Sequence, residues 1–110
     1  MSGVRRFGQV IGLKPDRIAE YEALHAAPWP GVLAAIARAH IRNYSIFRNG
    51  TTLFAYYEYT GDDYAADMAS IAADPETQRW WALTDAMQEP DRARPAGTWW
   101  LDVPEIFHTD

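Results

Sequence analysis

Residues 41–59, IRNYSIFRNGTTLFAYYEY, decide the fold. Two runs of strand-forming residues, 41–48 and 52–59, flank Asn49-Gly50, a pair that tolerates positive φ and marks a hairpin. In the second run Leu53, Ala55, Tyr57 and Tyr59 point one way, while Phe54 and Tyr56 point the other. Neither face is polar. A layer of helices covers only one face of a sheet, so the other needs a second subunit, a ligand or both. A homodimer closing face to face is the simplest cover.

Upstream of the hairpin, residues 4–13, VRRFGQVIGL, form a first strand, stopped by Lys14-Pro15 where a proline opens a helix. Ile18, Tyr21, Leu24 and His25 follow helical spacing opposite Arg17, Glu20 and Glu22, which puts His25 at the edge of a buried face. Pro28 and Pro30 push Ala27 and Trp29 out of the helical region, so one helix ends there and another begins near Pro30. Val32, Leu33, Ile36, Ala37 and His40 carry its apolar face. Downstream, Asp62-Asp63 starts a helix with Tyr64, Met68 and Ile71 on one side, and Asp74-Pro75-Glu76 restarts one that runs to about Glu89. Residues 89–97 form a loop, and TWWLDV is a last strand that stops at Pro104, an edge or bulge position.

The order β, broken α, β, β, broken α, β is that of an α+β domain of the ferredoxin-like, split βαβ kind, with one sheet and helices on one face. A length of 110 residues, with 48% hydrophobic and 23% charged side chains, fits one globular domain over 1–110. The net charge of −5 and the scattered Lys and Arg residues remove the electrostatic basis for binding nucleic acid. The sheet order also suits an RNA-recognition module, but LFAYYEY lacks that module's basic and glycine positions. The sequence has no cysteine, which excludes disulfides and thiolate chemistry and fits a cytoplasmic location. No apolar run reaches membrane-spanning length. His25, His40 and His108 lack metal-ligand spacing, there is no glycine-rich phosphate loop, and no metal or cofactor is expected.

Two features suggest a site. Tyr21, His25 and Trp29 stand four apart, the spacing that sets residues on one face of a helix. Imidazole titrates in the physiological range and can move protons, although from spacing alone a hydrogen-bonded, partly buried histidine accounts for the pattern better. Tyr21 is equally an ordinary helix aromatic by that measure. Trp80 and Trp81 point about 100° apart on their helix, so only one lies on the buried Leu83 and Met87 side. The other faces a groove or an interface, where an indole can stack on the C–H face of a sugar. Trp99 and Trp100 point to opposite faces of their strand, one of them into the core.

Taken together, GLKPD, EYEALH followed by PWP, RNYSIF, LFAYYEY, DPETQRWW and the closing EIFH make a specific set, and with them nearly the whole chain resembles the L-rhamnose mutarotase family. The resemblance implies a cofactor-free isomerase that interconverts the α and β anomers of a deoxyhexose, L-rhamnose foremost and L-fucose as an alternative. It also implies a dimeric α/β barrel with a pocket in each subunit. His25 takes the place of the proton donor, and Tyr21, Tyr44, Trp80 and Trp81 take the places of sugar contacts. The catalytic base stays open between a tyrosine, a carboxylate such as Glu58, and a bound water. The rival classes are a non-catalytic small-ligand-binding dimer and a cofactor-independent monooxygenase on the same barrel.

Overall fold

The structure is a computed structural model that describes residues 3–110; Met1 and Ser2, part of the expected 1–110 domain, lie outside the described residues. The chain runs through β1 (Arg5–Leu13), a short 3-10 turn (Pro15–Arg17), α1 (Ile18–Ala26), α2 (Pro30–Arg38), β2 (Ile41–Asn49), β3 (Thr52–Tyr59), α3 (Tyr64–Ala73), α4 (Pro75–Met87), β4 (Gln88–Glu89) and β5 (Leu101–Val103). The helix starts are those that the capping chemistry dictates. Pro30 and Pro75 open α2 and α4, Asp63 accepts a hydrogen bond from the Ala66 amide, and Asp74 accepts one from the Thr77 amide. Trp29 is extended (φ −72°, ψ 133°) as a residue before proline must be, which separates α1 from α2.

The sheet is antiparallel in the order β2-β3-β1-β4, and β5 also pairs with β1 on its β4 side. The domain is therefore mixed α+β, one antiparallel sheet with four helices over one face. Two apolar clusters hold the helices down. Ile11, Leu13 and Leu53 meet Tyr21 of α1 and Met87 of α4 at one end. At the other end Tyr57 and Tyr59 meet Ala39, Ile41 and Ile71 of α3. Gly31 lets α2 approach α4, since a Cβ there would overlap the Glu76 carboxylate that accepts the Gly31 amide hydrogen.

Several expectations need correction. The hairpin turn is Gly50-Thr51, one residue later than Asn49-Gly50, with Gly50 at φ 59° and Asn49 paired to Thr52. Helix α4 ends at Met87, and the next two residues form β4 against Gly12 and Leu13. That contact is close because Gly12 has no Cβ to meet the Glu89 carbonyl. The last strand is only Leu101–Val103; Trp99 and Trp100 precede it in irregular backbone, and Pro104 follows it at the sheet edge. His40 lies beyond α2 with φ 64°, and Leu83 is exposed; the buried side of α4 is Thr77, Trp80, Thr84 and Met87. The two faces of β3 separate as expected. Leu53, Ala55, Tyr57 and Tyr59 are buried beneath the helices, whereas Phe54 is 41% and its neighbour Phe47 64% exposed. Among the described residues no helix is long and apolar enough to cross a membrane.

Candidate active site

On α1, His25 lies one turn after Tyr21, and its Nδ1 is 2.9 Å from the Tyr21 carbonyl oxygen. A carbonyl only accepts, so the hydrogen is on Nδ1 and Nε2 is left for chemistry. The imidazole stacks on the Tyr21 ring at 4.1 Å and meets the edge of Trp80 at 5.1 Å. Trp29 closes on the far side of Trp80 at 5.2 Å. Two proline-bounded helices and α4 thus bring four rings together. Desolvation in this aromatic setting lowers the His25 pKa below its ordinary 6.5, partly offset by the bond to the Tyr21 carbonyl.

Tyr21 is fixed at its other end. Its buried hydroxyl accepts from Gln88 Nε2 at 3.1 Å, and Gln88 Oε1 accepts from Trp99 Nε1 at 2.8 Å. The phenol keeps its own proton, and burial raises its pKa while the Gln88 bond lowers it. Nothing in the sequence singles out Gln88 or Trp99 for this duty, because the contact joins residues 67 positions apart.

Tyr44 reaches the site through a β-bulge. Between the pairs Arg42↔Glu58 and Ser45↔Tyr56, β2 supplies two residues, Asn43 and Tyr44, opposite the single residue Tyr57. Asn43 takes φ 51° and donates to Glu58 on the uncovered face. Tyr44 turns inward, its ring 5.4 Å from that of Tyr57. It is 41% exposed, yet its hydroxyl pKa is pushed up to about 12, chiefly by desolvation and then by Tyr21 and Tyr64.

The structure brings Tyr21, His25 and Trp80 into contact and sets Tyr44 against Tyr57 of the neighbouring cluster, with no ring contact to those three among the described residues. It does not join Trp81 to them by any ring contact among the described residues; Trp81 is 40% exposed, one helix step from Trp80. A cleft of about 320 Å³ opens between α1 and β2, lined by Tyr21, His25, Ala26, Ile46, Leu53 and Arg48, and the Arg48–Glu22 ion pair (2.6 Å) bridges its rim. A groove of about 340 Å³ near Tyr59 and Tyr64 holds none of the residues that the sequence singles out. Glu58, one open candidate for the base, is on the wrong face: it accepts from Tyr56 (2.7 Å) and Asn43 (2.9 Å) opposite the helices, and these bonds lower its pKa. Among the described residues no group of three or more His, Asp or Glu side chains is placed to hold a metal.

The site is thus an imidazole with one free nitrogen, packed against Tyr21 and Trp80 beside a solvent-entered cleft of a small α+β domain. The model of the family described as L-rhamnose mutarotase matches residues 6–109. An L-rhamnose mutarotase of Opitutus terrae is 40% identical over 96 residues, covering 84% of this chain and 86% of that protein. An L-fucose mutarotase of Xanthomonas campestris pv. campestris is 34% identical over 110 residues, covering 94% and 87%. The crystal structure of an L-rhamnose mutarotase from Formosa agariphila superposes with a TM-score of 0.74 at 20% identity over 96% of this chain and 99% of that one, a likeness of fold. The chain belongs to the L-rhamnose mutarotase family.

Proposed function

We propose that the protein is an isomerase that interconverts the α and β pyranose anomers of L-rhamnose, with His25 as the catalytic proton-transfer group. The observation that carries this reading is the His25 imidazole, anchored through Nδ1 on the Tyr21 carbonyl and packed between Tyr21 and Trp80 with Nε2 free. To open the ring, Nε2–H protonates the ring oxygen, the bond from C1 to that oxygen breaks, and the anomeric hydroxyl loses its proton to a base. The aldehyde turns and the reverse steps close it from its other face. His25 is donor in the first half and acceptor in the second, so each turnover returns it to its starting form. Tyr21, Tyr44 and Trp81 hold the sugar, with hydroxyls to the phenols and a C–H face to the exposed indole, while Trp80, buried between His25 and Trp29, backs the imidazole.

The same reading includes a dimeric α/β barrel built from two ferredoxin-like subunits. Its support is the strand order together with the uncovered row Leu101, Val10, Phe54 and Phe47, which a second copy would bury. A cytoplasmic location accords with the cysteine-free composition.

Magnetization-exchange NMR on L-rhamnose tests the activity directly against a buffer control. Wild type should accelerate exchange, and His25→Ala should remove about 10²–10⁴-fold of the rate while the circular dichroism of the fold is retained. A donor must be protonated in the free enzyme, so kcat/KM should fall as pH rises through the lowered His25 pKa. A rate that climbs over that range makes Nε2 the acceptor from the anomeric hydroxyl instead. Full activity in His25→Ala removes the residue from the mechanism.

A further inference from the structure

Strand pairing lays the helix-covered face of the sheet out in lateral rows, roughly 7 Å apart for residues two positions along a strand. Phe7 and Tyr57 form one row, and Ile11 and Leu53 another. Between them runs Asp102, Gln9, Ala55 and Ile46, fixed by the pairs Gln9↔Asp102, Gln9↔Ala55 and Ile46↔Ala55. The rows on either side belong to the two apolar clusters, yet this one has an amide and a carboxylate at its β5 end. Leu101 and Val103 pair with Val10 and Gly8 and face the other way, so Asp102 is the single residue of β5 that points inward.

Gln9 Nε2 donates to Asp102 Oδ1 at 2.7 Å, while Asp102 stays exposed. Asp102 Oδ2, Gln9 Oε1 and the second amide hydrogen of Gln9 have no hydrogen-bond partner among the described residues. These free groups lie in the gap between the two clusters. On one side is Tyr57, whose raised pKa includes a contribution from Asp102, with Tyr44 beside it. On the other is the cluster of Ile11, Leu53 and Tyr21, on whose ring His25 stacks. A solvent-exposed polar pair in the sheet row between two apolar clusters does nothing for the core, and its row ends at Ile46, which lines the cleft beside His25. The pair presents two acceptors and one donor side by side, and neighbouring hydroxyls of a pyranose, each both donor and acceptor, match that set.

We infer that Asp102 and Gln9 form a sugar-hydroxyl subsite: Asp102 Oδ2 accepts from a ring hydroxyl away from the anomeric carbon, and Gln9 both steadies the carboxylate and bonds to an adjacent sugar oxygen. The inference rests on the mutarotase reading and assigns the pair to binding and specificity, outside the proton transfers. On this inference, anchoring the sugar at Asp102 and Gln9 fixes which of its oxygens faces His25, and a charge-assisted bond makes Asp102 the stronger half of the anchor.

The test compares wild type with Asp102→Ala, Asp102→Asn and Gln9→Ala in the full chain. Magnetization exchange over a range of L-rhamnose concentrations gives KM and kcat, and tryptophan fluorescence gives Kd for L-rhamnose and for analogues each lacking one ring hydroxyl. Asp102→Ala should raise KM and Kd by about tenfold or more, with kcat kept within about threefold, the pattern of lost uniform binding. Asp102→Asn, nearly isosteric and safe for the fold, should fall between, and Gln9→Ala should cost less. One analogue should bind wild type as poorly as Asp102→Ala binds the intact sugar, and should lose nothing further in that variant. KM and Kd within about twofold of wild type in folded variants overturn the subsite, as does a collapse of kcat at unchanged KM, which puts Asp102 at the reacting atoms. Failure of wild type to exchange any aldose, with sugar binding still weakened by Asp102→Ala, breaks the mutarotase reading and leaves the subsite standing.

Discussion

On the helix-covered face of the sheet, the row Asp102, Gln9, Ala55 and Ile46 places polar groups where a core is expected. On the opposite face, the adjoining row Leu101, Val10, Phe54 and Phe47 places apolar groups where water is expected, and Phe47, Phe54 and Val103 are all at least 40% exposed. A solitary domain has little use for either arrangement. The polar row is affordable because it borders an opening between two apolar clusters and its hydrogen-bonding groups stay in contact with solvent. On the dimer proposal a second copy would bury the apolar row, since soluble monomers rarely keep such a patch bare. The contrast teaches that exposure alone does not identify a site: on the two proposals above, the polar atoms beneath the helices would serve a ligand and the aromatic rings on the open face would serve packing between copies.

The contrast can be broken most forcefully at α4, where adjacent indoles serve different ends. Trp80 is 6% exposed and wedged between His25 and Trp29, whereas Trp81 is 40% exposed. Trp80→Ala should cost about 3–5 kcal/mol of folding stability in urea unfolding, the usual toll for deleting a buried indole. Trp81→Ala should leave the unfolding midpoint nearly unchanged and weaken sugar binding. Equal destabilisation by both would erase the distinction. On the open face, Phe54→Asp should weaken the dimer by about 2 kcal/mol, roughly thirtyfold, the scale of an interface hot spot. Analytical ultracentrifugation over a dilution series measures it, and a wild-type monomer at all concentrations would reassign that face. The smallest effect is expected where one strand serves both faces. Asn43→Ala forces a Cβ residue without a helpful side chain into φ 51° and removes the bond to Glu58, so it should cost about 1–2 kcal/mol, while Asn43→Gly should recover the backbone part. Differential scanning calorimetry of the pair separates the two contributions.

Features of the fold that depend on neighbours in the chain were readable. Asp74-Pro75 and Pro30 start helices because cap and N1 geometry are decided within one turn, and the alternation of β3 sorts its side chains without outside help. The same locality makes Tyr21, His25 and Trp80 legible as candidates through their motif context. What escaped depends on distant partners. Two residues of β4 carry no periodicity, and only the missing Cβ of Gly12 makes their pairing possible. The bulge at Asn43-Tyr44 exists relative to Tyr57 on another strand; its one local hint is an asparagine, a residue that tolerates positive φ. Gln9 did leave a mark, as the polar member of the inward series Phe7, Gln9, Ile11 and Leu13, but its meaning required Asp102, 93 residues away.

The split between β4 and β5 has an engineering consequence. The chain leaves the sheet after Glu89 and returns at Leu101, and both ends are stitched to the same strand, β1, at Gly12–Leu13 and at Gly8–Val10. Because the two attachment points are fixed by separate ladders on β1, the intervening segment should act as a replaceable cassette, a change in its length leaving the register of both ladders in place. Its last residues, Trp99 and Trp100, reach back to Gln88 and to the Tyr21 cluster. A graft that keeps those two indoles and varies residues 90–98 would recontour the approach to the Tyr21 and His25 wall while leaving the sheet beneath it untouched, which makes this segment the natural place to retune the enzyme toward another sugar.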